Sequence, residues 1–343
     1  MQRCLELAKL GAGGVAPNPM VGAVLVYDDR IIGEGYHQQY GHAHAEVNCI
    51  NSVAKEDIHL IEKSTLYVSL EPCAHYGKTP PCAELIIVKK IPNVVVGCRD
   101  SYEEVAGKGI ENLKAAGINV TVGVLEKECL ELNKRFFTFH EQQRPYIILK
   151  WAQSNNHQIA NADFSRVLIS NEETNRLVHK WRSEEAAILI GTKTALHDNP
   201  SLTTRLWQGN NPTRIVIDME LKLPKSLAVF NEDANTIIFN KSQQEQKGNI
   251  SYHQISGENI IPQILKTLFD LKIQSVLIEG GATTLQSFVD SNNWDEARVI
   301  TNHQLQIDNG INAPILQGEK LIFEEKIATD TINYYINPKS KEA

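Results

Sequence analysis

The sequence predicts two different α/β domains in tandem: an N-terminal α/β/α sandwich followed by a second α/β domain. Three observations predict this. A length of 343 residues suits two cores better than one. Strand-length apolar runs alternate with segments of helical period in the first part of the chain, and after a polar, proline-containing stretch a second such alternation begins.

The elements follow in order. Residues 2–10 have helical apolar spacing, and Gly11, Gly13 and Gly14 end that helix. Segments 21–27 and 31–34 flank Asp28-Asp29 as a hairpin. A helix over 45–53 starts at His44-Ala45-Glu46, and a short strand at 66–70 runs into Glu71-Pro72-Cys73. A helix at 83–90, a strand at 93–98, a helix at 110–116 and a strand at 118–124 come next. Residues 126–141 read as one polar helix, and Gln142-Gln143-Arg144-Pro145 as a junction, giving domains at 1–142 and 146–343. Residues 146–151 open the second alternation, with strands at 186–190, 214–217, 236–239 and 275–278 and a surface loop at 241–250. No internal repeat or long low-complexity tract is present.

Composition narrows the function. Apolar residues make up 42% and charged residues 22%, with a formal charge of -7. Residues 1–145 carry 15 basic against 18 acidic side chains, and the remainder 19 against 23. Neither half has the basic surplus of a nucleic-acid-binding domain, so a small-molecule substrate is expected. No apolar run reaches bilayer length and the first residues lack a secretory pattern, which points to the cytoplasm and away from a membrane. In a reducing compartment the six cysteines are expected as thiols, with Cys4, Cys49, Cys98 and Cys129 packing as small apolar residues.

The remaining two cysteines belong to a motif. His44, Cys73 and Cys82 supply one imidazole and two thiolates, a set suited to one tetrahedral Zn²⁺ with its fourth position open. Two thiolates neutralise the metal's charge and weaken its acidity, so a carboxylate must take the water proton and redeliver it. Glu46, two residues past the histidine, is placed for that work. His-x-Glu followed by Pro-Cys and a second Cys is the apparatus of zinc deaminases.

The run Pro72-Cys73-Ala74-His75-Tyr76-Gly77-Lys78-Thr79-Pro80-Pro81-Cys82 resembles the deaminase of the bifunctional riboflavin-biosynthesis (RibD) family, whereas other cytidine and tRNA adenosine deaminases usually carry Cys-x-x-Cys. Ala16-Pro17-Asn18-Pro19 and Gly33-Glu34-Gly35-Tyr36-His37 resemble its substrate-side segments. The resemblance implies a cytidine-deaminase-like first domain, with Asn18, His42, His75 and Lys78 as substrate contacts.

In the second half, Val276 to Leu285 reads as a buried strand, Glu279-Gly280-Gly281, and a helix start, which suits either a phosphate or pyrophosphate cradled by backbone N–H groups or a strand-to-helix turn with no ligand. The stretch Thr192 to Arg205 resembles the reductase of the same family. That resemblance implies a dihydrofolate-reductase-like fold using NADPH. Cofactor contacts would be Gln153, Val167, Thr194, Asp198, Gly281, Ala282, Thr283, Thr284, Leu285, Gln286 and Ser287. Substrate contacts would be Ser165, Arg182, Leu202, Arg205 and Glu279, the arginines offering guanidinium forks to a phosphate.

Several segments depart from the family pattern. Asn155-Asn156-His157 stands where Leu-Asp-Gly is usual, Val167 where tryptophan is common, Asp100 to Glu104 where Asp-Pro-Asn-Pro is expected, and Gln306 to Asn309 where an Ile-Gly-Gly turn is. The chain starts inside its first helix, as if a short extension preceded it in the family. The activity implied is deamination of 2,5-diamino-6-(5-phosphoribosylamino)pyrimidin-4-one, then NADPH reduction of its ribosyl group to a ribityl chain, in a homo-oligomer, dimer or tetramer. The rivals are a deaminase with an impaired reductase, a tRNA deaminase and a zinc-stabilised scaffold.

Overall fold

The structure, a computed structural model, describes residues 1–76, 80–101 and 107–341. The chain divides into two compact units, Met1–Gln143 and Arg144–Ala343.

In the first unit the sheet order is β2-β1-β3-β4-β5, from β1 (Gly22–Tyr27), β2 (Arg30–Tyr36), β3 (Thr65–Leu70), β4 (Asn93–Cys98) and β5 (Asn119–Val122). The β1–β2 and β1–β3 pairs are antiparallel, and β3, β4 and β5 are parallel. The helices are α1 (Gln2–Lys9), α2 (Ala45–Asn51), α3 (Cys82–Val88), α4 (Lys108–Ala115), α5 (Glu126–Leu132) and α6 (Lys134–Gln142). Alternation along the strands explains the layers. Ala23, Leu25, Leu66, Val68, Val94 and Val96 pack with Cys49, Ile50, Ala83, Ile86 and Leu113 of α2, α3 and α4. Cys4 and Leu7 of α1 pack on Val24, while Leu5, Cys129 and Phe136 gather around Leu70 and Cys98.

Two segments differ from the sequence reading. A 3-10 helix at Lys55–Lys63 fills the connection before β3. The single helix expected over 126–141 is two, broken at Asn133, whose buried side chain accepts from the Met20 N–H at 2.8 Å and donates to the Met20 carbonyl at 2.9 Å. A tertiary clamp on the 16–20 segment therefore overrides helical continuity.

The second unit has strands β6 (Tyr146–Ser154), β7 (Gln158–Ala160), β8 (Ala187–Gly191), β9 (Thr213–Ile217), β10 (Thr236–Asn240), β11 (Glu245–Lys247), β12 (Ile250–Gln254), β13 (Ser275–Ile278), β14 (Glu296–Asn302), β15 (Ile311–Asn312), β16 (Lys320–Ile327) and β17 (Asp330–Ile336). Ten of them form one sheet in the order β11-β12-β10-β9-β8-β13-β6-β14-β17-β16, parallel from β12 to β14 and antiparallel at both edges. The polar stretch read as a loop at 241–250 holds the edge strand β11, whose pairing to β12 its side chains do not announce. Helices α7 (Glu172–Glu184), α8 (Thr192–Asp198), α9 (Ile260–Asp270) and α10 (Ala282–Asp290) cover the sheet. Val178 and Trp181 of α7 pack on Ile148 and Leu277, while α9 and α10 cover the opposite face at Leu149, Leu189 and Ile278. The carboxyl ends of β6, β8 and β13 lie side by side, the place where open parallel sheets bind ligands. Among the described residues no helix is long and apolar enough to cross a membrane.

Candidate active sites

In the first unit three ligand-bearing side chains converge. His44 is the N-cap of α2, Cys82 the first residue of α3, and Cys73 follows β3. His44 Nδ1 lies 3.5 Å from Cys73 Sγ and 3.4 Å from Cys82 Sγ, and all three ligand atoms are within 4.8 Å of one another. A tetrahedral zinc spaces its nitrogen and sulfur ligands by roughly 3.5 Å, so the set fits that ion.

Local sequence explains the placement. Gly33 and Gly35 of β2 let α2 press its backbone onto the sheet: a Cβ at Gly35 would lie 2.2 Å from Cys49 N. On the other side, buried Glu71 accepts from the Asp100, Gly107 and Ile110 N–H groups at 3.3, 3.0 and 3.2 Å, tying the start of α4 beside Pro72. A Cβ at Gly109 would fall 1.9 Å from the Pro72 carbonyl oxygen, so only glycine permits this approach.

The electrostatics suit metal and proton chemistry. A hydrogen bond from Cys82, then one with His44, holds the Cys73 thiol down to about 4, leaving a thiolate. Sharing with Cys73, then burial, raises Cys82. Metal binding displaces such a shared proton. Burial, then the Cys73 charge, raises the Glu46 carboxyl, the direction a proton shuttle needs.

Of the expected substrate contacts, Asn18 is half-buried and His75 half-buried two residues past Cys73, while His42 is exposed. Lys78 lies outside the described residues, as do Gly77, Thr79 and Tyr102 to Glu104 of the departing segment. The histidine that reaches the centre is His37, which sequence reasoning quoted without assigning a role. It is 2% exposed, and its ring centroid lies 5.3 Å from that of His44. Its Nδ1 is 3.1 Å from the Ala43 carbonyl and its Nε2 3.1 Å from Asn18 Nδ2. With Nδ1–H donating to the carbonyl, Nε2 accepts from the Asn18 amide, and Asn18 Oδ1 is left for another partner.

In the second unit a buried charge cluster stands at the strand ends. Arg182 of α7 donates Nε and Nη2 to Glu279 at 2.8 and 2.7 Å, and Lys150 Nζ of β6 lies 3.6 Å from the same carboxylate. Burial alone would raise Glu279, but Arg182 and Lys150 outweigh it and hold the carboxyl at about 2. Burial, helped by Arg182 against Glu279, lowers Lys150. Arg182 Nη1 also approaches the Thr203 carbonyl at 3.5 Å, next to buried Leu202, which sits at φ 55. Arg205 is exposed, its Nη1 3.4 Å from Thr203 Oγ1. The fork of Arg182 is thus occupied by Glu279, and Arg205 presents the open guanidinium. Sequence reading assigns Lys150 no role beyond its place in the strand over 146–151.

Beside this cluster, Gly281 is the N-cap of α10 at φ 62, and an added Cβ would stand 3.1 Å from Thr194 Oγ1. At Gly191 an added Cβ would stand 2.5 Å from Thr284 Oγ1. The turns after β8 and β13 are therefore packed through glycines. A cavity of about 370 Å³ lies between α10, at Ala282, Thr283, Gln286, Ser287 and Asp290, and the 312–314 segment. Leu285 is buried in the core instead. Asp198 is exposed at the end of α8, Ser165 lies on an exposed loop held by Asn161 and Asp163, and Val167 is half-buried. Gln153 is buried, and its amide is committed to Trp151, His157 and Thr301.

Two departures from the family pattern meet in space. His157 at φ 58 and Asn309 at φ 51 stand in left-handed turn conformations that glycine adopts at no cost. Asn156 joins the two segments, donating to the Ile307 carbonyl at 3.0 Å and accepting from the Ile307 N–H at 3.2 Å.

Comparison with known proteins agrees across the chain. The family model "Cytidine and deoxycytidylate deaminase zinc-binding region" matches residues 1–98, and "RibD C-terminal domain" matches 145–302. Riboflavin biosynthesis protein RibD of Aquifex aeolicus is 41% identical over 94% of this chain and 88% of its own length. Its Escherichia coli namesake is 32% identical over 86% and 84%. The crystal structure of the Thermotoga maritima diaminohydroxyphosphoribosylaminopyrimidine deaminase/5-amino-6-(5-phosphoribosylamino)uracil reductase superimposes with a TM-score of 0.91 at 35% identity, covering 98% of this chain and 97% of that one. Acinetobacter baumannii RibD superimposes at 0.89 with 31% identity, covering 98% and 97%.

Proposed function

The chain belongs to the RibD family of riboflavin-biosynthesis proteins, and from that premise we propose which of its residues carry each of the family's two reactions. It is a bifunctional enzyme, a zinc-dependent deaminase joined to a reductase. We assign deamination of 2,5-diamino-6-(5-phosphoribosylamino)pyrimidin-4-one to residues 1–142. NADPH-dependent reduction of the resulting aminouracil's ribosyl group to a ribityl chain falls to 146–343.

In the first reaction His44, Cys73 and Cys82 hold the zinc, which when bound supplies the Lewis acidity that activates water for attack on the amidine carbon. A Glu46 carboxylate oxygen would accept one water proton and deliver it to the ring nitrogen, then take the second proton from the attacking oxygen and deliver it to the amine, which leaves as ammonia as the carbonyl forms. Asn18, its amide oriented by His37, and His75 line the approach; His42 and Lys78 complete the proposed contacts. The observation that carries this assignment is the three-ligand cluster with buried Glu46 in the first turn of the same helix as His44.

In the second reaction NADPH, when bound, supplies the hydride. Thr194, Asp198 and the Gly281 to Ser287 turn would hold it, with Gln153 and Val167 beside them. Lys150 and Arg182 fix the Glu279 carboxylate towards the sugar, Arg205 meets the phosphate, and Ser165 and Leu202 complete the substrate wall. Incubating the protein with the diaminopyrimidine and NADPH should release ammonia and lose absorbance at 340 nm. Ammonia without loss of absorbance would remove the reductase assignment.

The acidic balance and the phosphoribosyl substrate support a small-molecule enzyme of the cytoplasm. A homo-oligomer, dimer or tetramer, is supported by edge strand β16, where Leu321, Ile322 and Phe323 are all exposed. Light scattering giving a monomer mass would reject it.

A further inference from the structure

We propose that His179 is a positioning residue for the reductase: as a neutral imidazole it holds the main chain of Arg205, and with it the guanidinium that meets the substrate's phosphate. The inference rests on the reading of Arg205 given above and adds a residue to it. His179 lies on α7 one turn before Arg182 and is 2% exposed. Its Nδ1 accepts the Arg205 N–H at 2.9 Å. An acceptor at Nδ1 requires the ring proton, if any, to sit on Nε2; a doubly protonated ring would set N–H against N–H.

The surroundings enforce that state. Burial, then Arg182 on the same helix and Arg205 on the loop, push His179 down to about 4, with Lys150 of β6 acting the same way and only Glu279 beyond β13 opposing. Besides the 3.4 Å contact of Arg205 Nη1 with Thr203 Oγ1, the loop is fastened at neighbouring residues. Thr204 bonds Asn211 and Asn210 within the loop at 2.8 and 3.1 Å. Gly209 packs on Ser183 of α7, where an added Cβ would meet the Ser183 Cβ at 2.5 Å. Lys180 lies over the Trp207 ring at 5.7 Å. The His179 bond holds the main chain of the residue that carries the charge.

The test uses the full-length enzyme supplied with 5-amino-6-(5-phosphoribosylamino)uracil and NADPH. His179→Leu removes the acceptor, His179→Gln moves it to the Nε2 position, and His179→Asn keeps it near Nδ1. The Leu and Gln variants should raise KM for the aminouracil about tenfold, the effect of losing one buried hydrogen bond, with kcat within about twofold. His179→Asn should restore KM. NADPH affinity and deamination should stay as in the wild type, with the melting temperature lower by only about 2–4 °C in the Leu and Gln variants. An unchanged KM in the Leu variant, no rescue by Asn, or a joint fall in kcat, NADPH affinity and melting temperature would overturn the proposal. Arg205→Ala is the separate control: no effect on KM there removes the Arg205 reading itself. In the wild-type protein, nitrogen NMR should show an unprotonated Nδ1 and a protonated Nε2 on His179 from pH 8 to about 5. A doubly protonated ring at neutral pH overturns it without any variant.

Discussion

The two sites are built on opposite plans. In the first unit the proposed metal ligands and the proposed proton carrier come from two short stretches, 44–46 and 73–82, at the start of α2 and leading into α3. In the second, Lys150, His179, Arg182, Arg205 and Glu279 are delivered by β6, α7, a loop and the end of β13, and no short stretch contains them. The contrast follows from the chemistry. Deamination moves protons through side-chain atoms, which must be fixed against one metal. Hydride transfer needs two molecules held still, which a wall of charges and a glycine turn can do from many directions.

The sharpest test of that contrast is Glu46→Gln. It should lower deamination about a thousandfold, within the range for losing a positioned acid–base group. Zinc should remain at one per chain, and reduction of supplied aminouracil should be unchanged. Ammonia release, metal analysis and absorbance at 340 nm give the three readings. Full deamination by the variant would show that the first site, like the second, works by positioning alone.

Glu279→Gln probes the other plan. It leaves Arg182 and Lys150 buried together without their anion, which should destabilise the second unit by about 3 kcal/mol in denaturant titrations. Adding Arg182→Met should recover part of the loss, because the two changes act on one pair. The pH dependence has a definite sign. The folded carboxyl sits at about 2, below its ordinary value of 4.5, so its stabilisation is complete above that value and is lost as pH falls through 4.5 towards 2. Glu279→Gln should lack that acid limb. A variant as stable as the wild type, with the same acid limb, would mean the cluster holds no net energy.

How far each site could be read in the sequence follows from the same difference. The alternation of the first unit and the order His44, Glu46, Cys73, Cys82 were legible because each group is local to its motif. Glu71 was not, since its three backbone partners lie in the 100–110 region and nothing in Glu-Pro-Cys announces them. His37 was in view but indistinguishable from His42 until the strand placed one inside and left the other exposed. In the second unit, Lys150 and His179 look like ordinary strand and helix residues. Only the parallel pairing of β6, β8 and β13, with α7 across that face, gives them partners. The break at Asn133 and the strand β11 were hidden for the same reason: both depend on contacts remote in sequence.

The smallest expected effect separates holding the cofactor from using it. Gly281 stands at φ 62 and ψ 132, a backbone state disfavoured once a Cβ is present, and that Cβ would meet Thr194 Oγ1 at 3.1 Å. Gly281→Ala must therefore either rotate the peptide that opens α10 or displace Thr194, and both are proposed cofactor contacts. A strained backbone of this kind costs about 1–3 kcal/mol, so NADPH should bind about tenfold more weakly by fluorescence titration. At saturating NADPH, kcat should stay within about twofold, and deamination should not change. Adding Thr194→Ala removes the atom the new methyl meets but leaves the φ restriction. Recovery of affinity in the double variant would assign the loss to crowding between the two turns; persistence would assign it to the backbone. If the single variant bound NADPH as well as the wild type, the turn after β13 would not touch the cofactor. The second site's plan would then have to rest on the charge cluster alone.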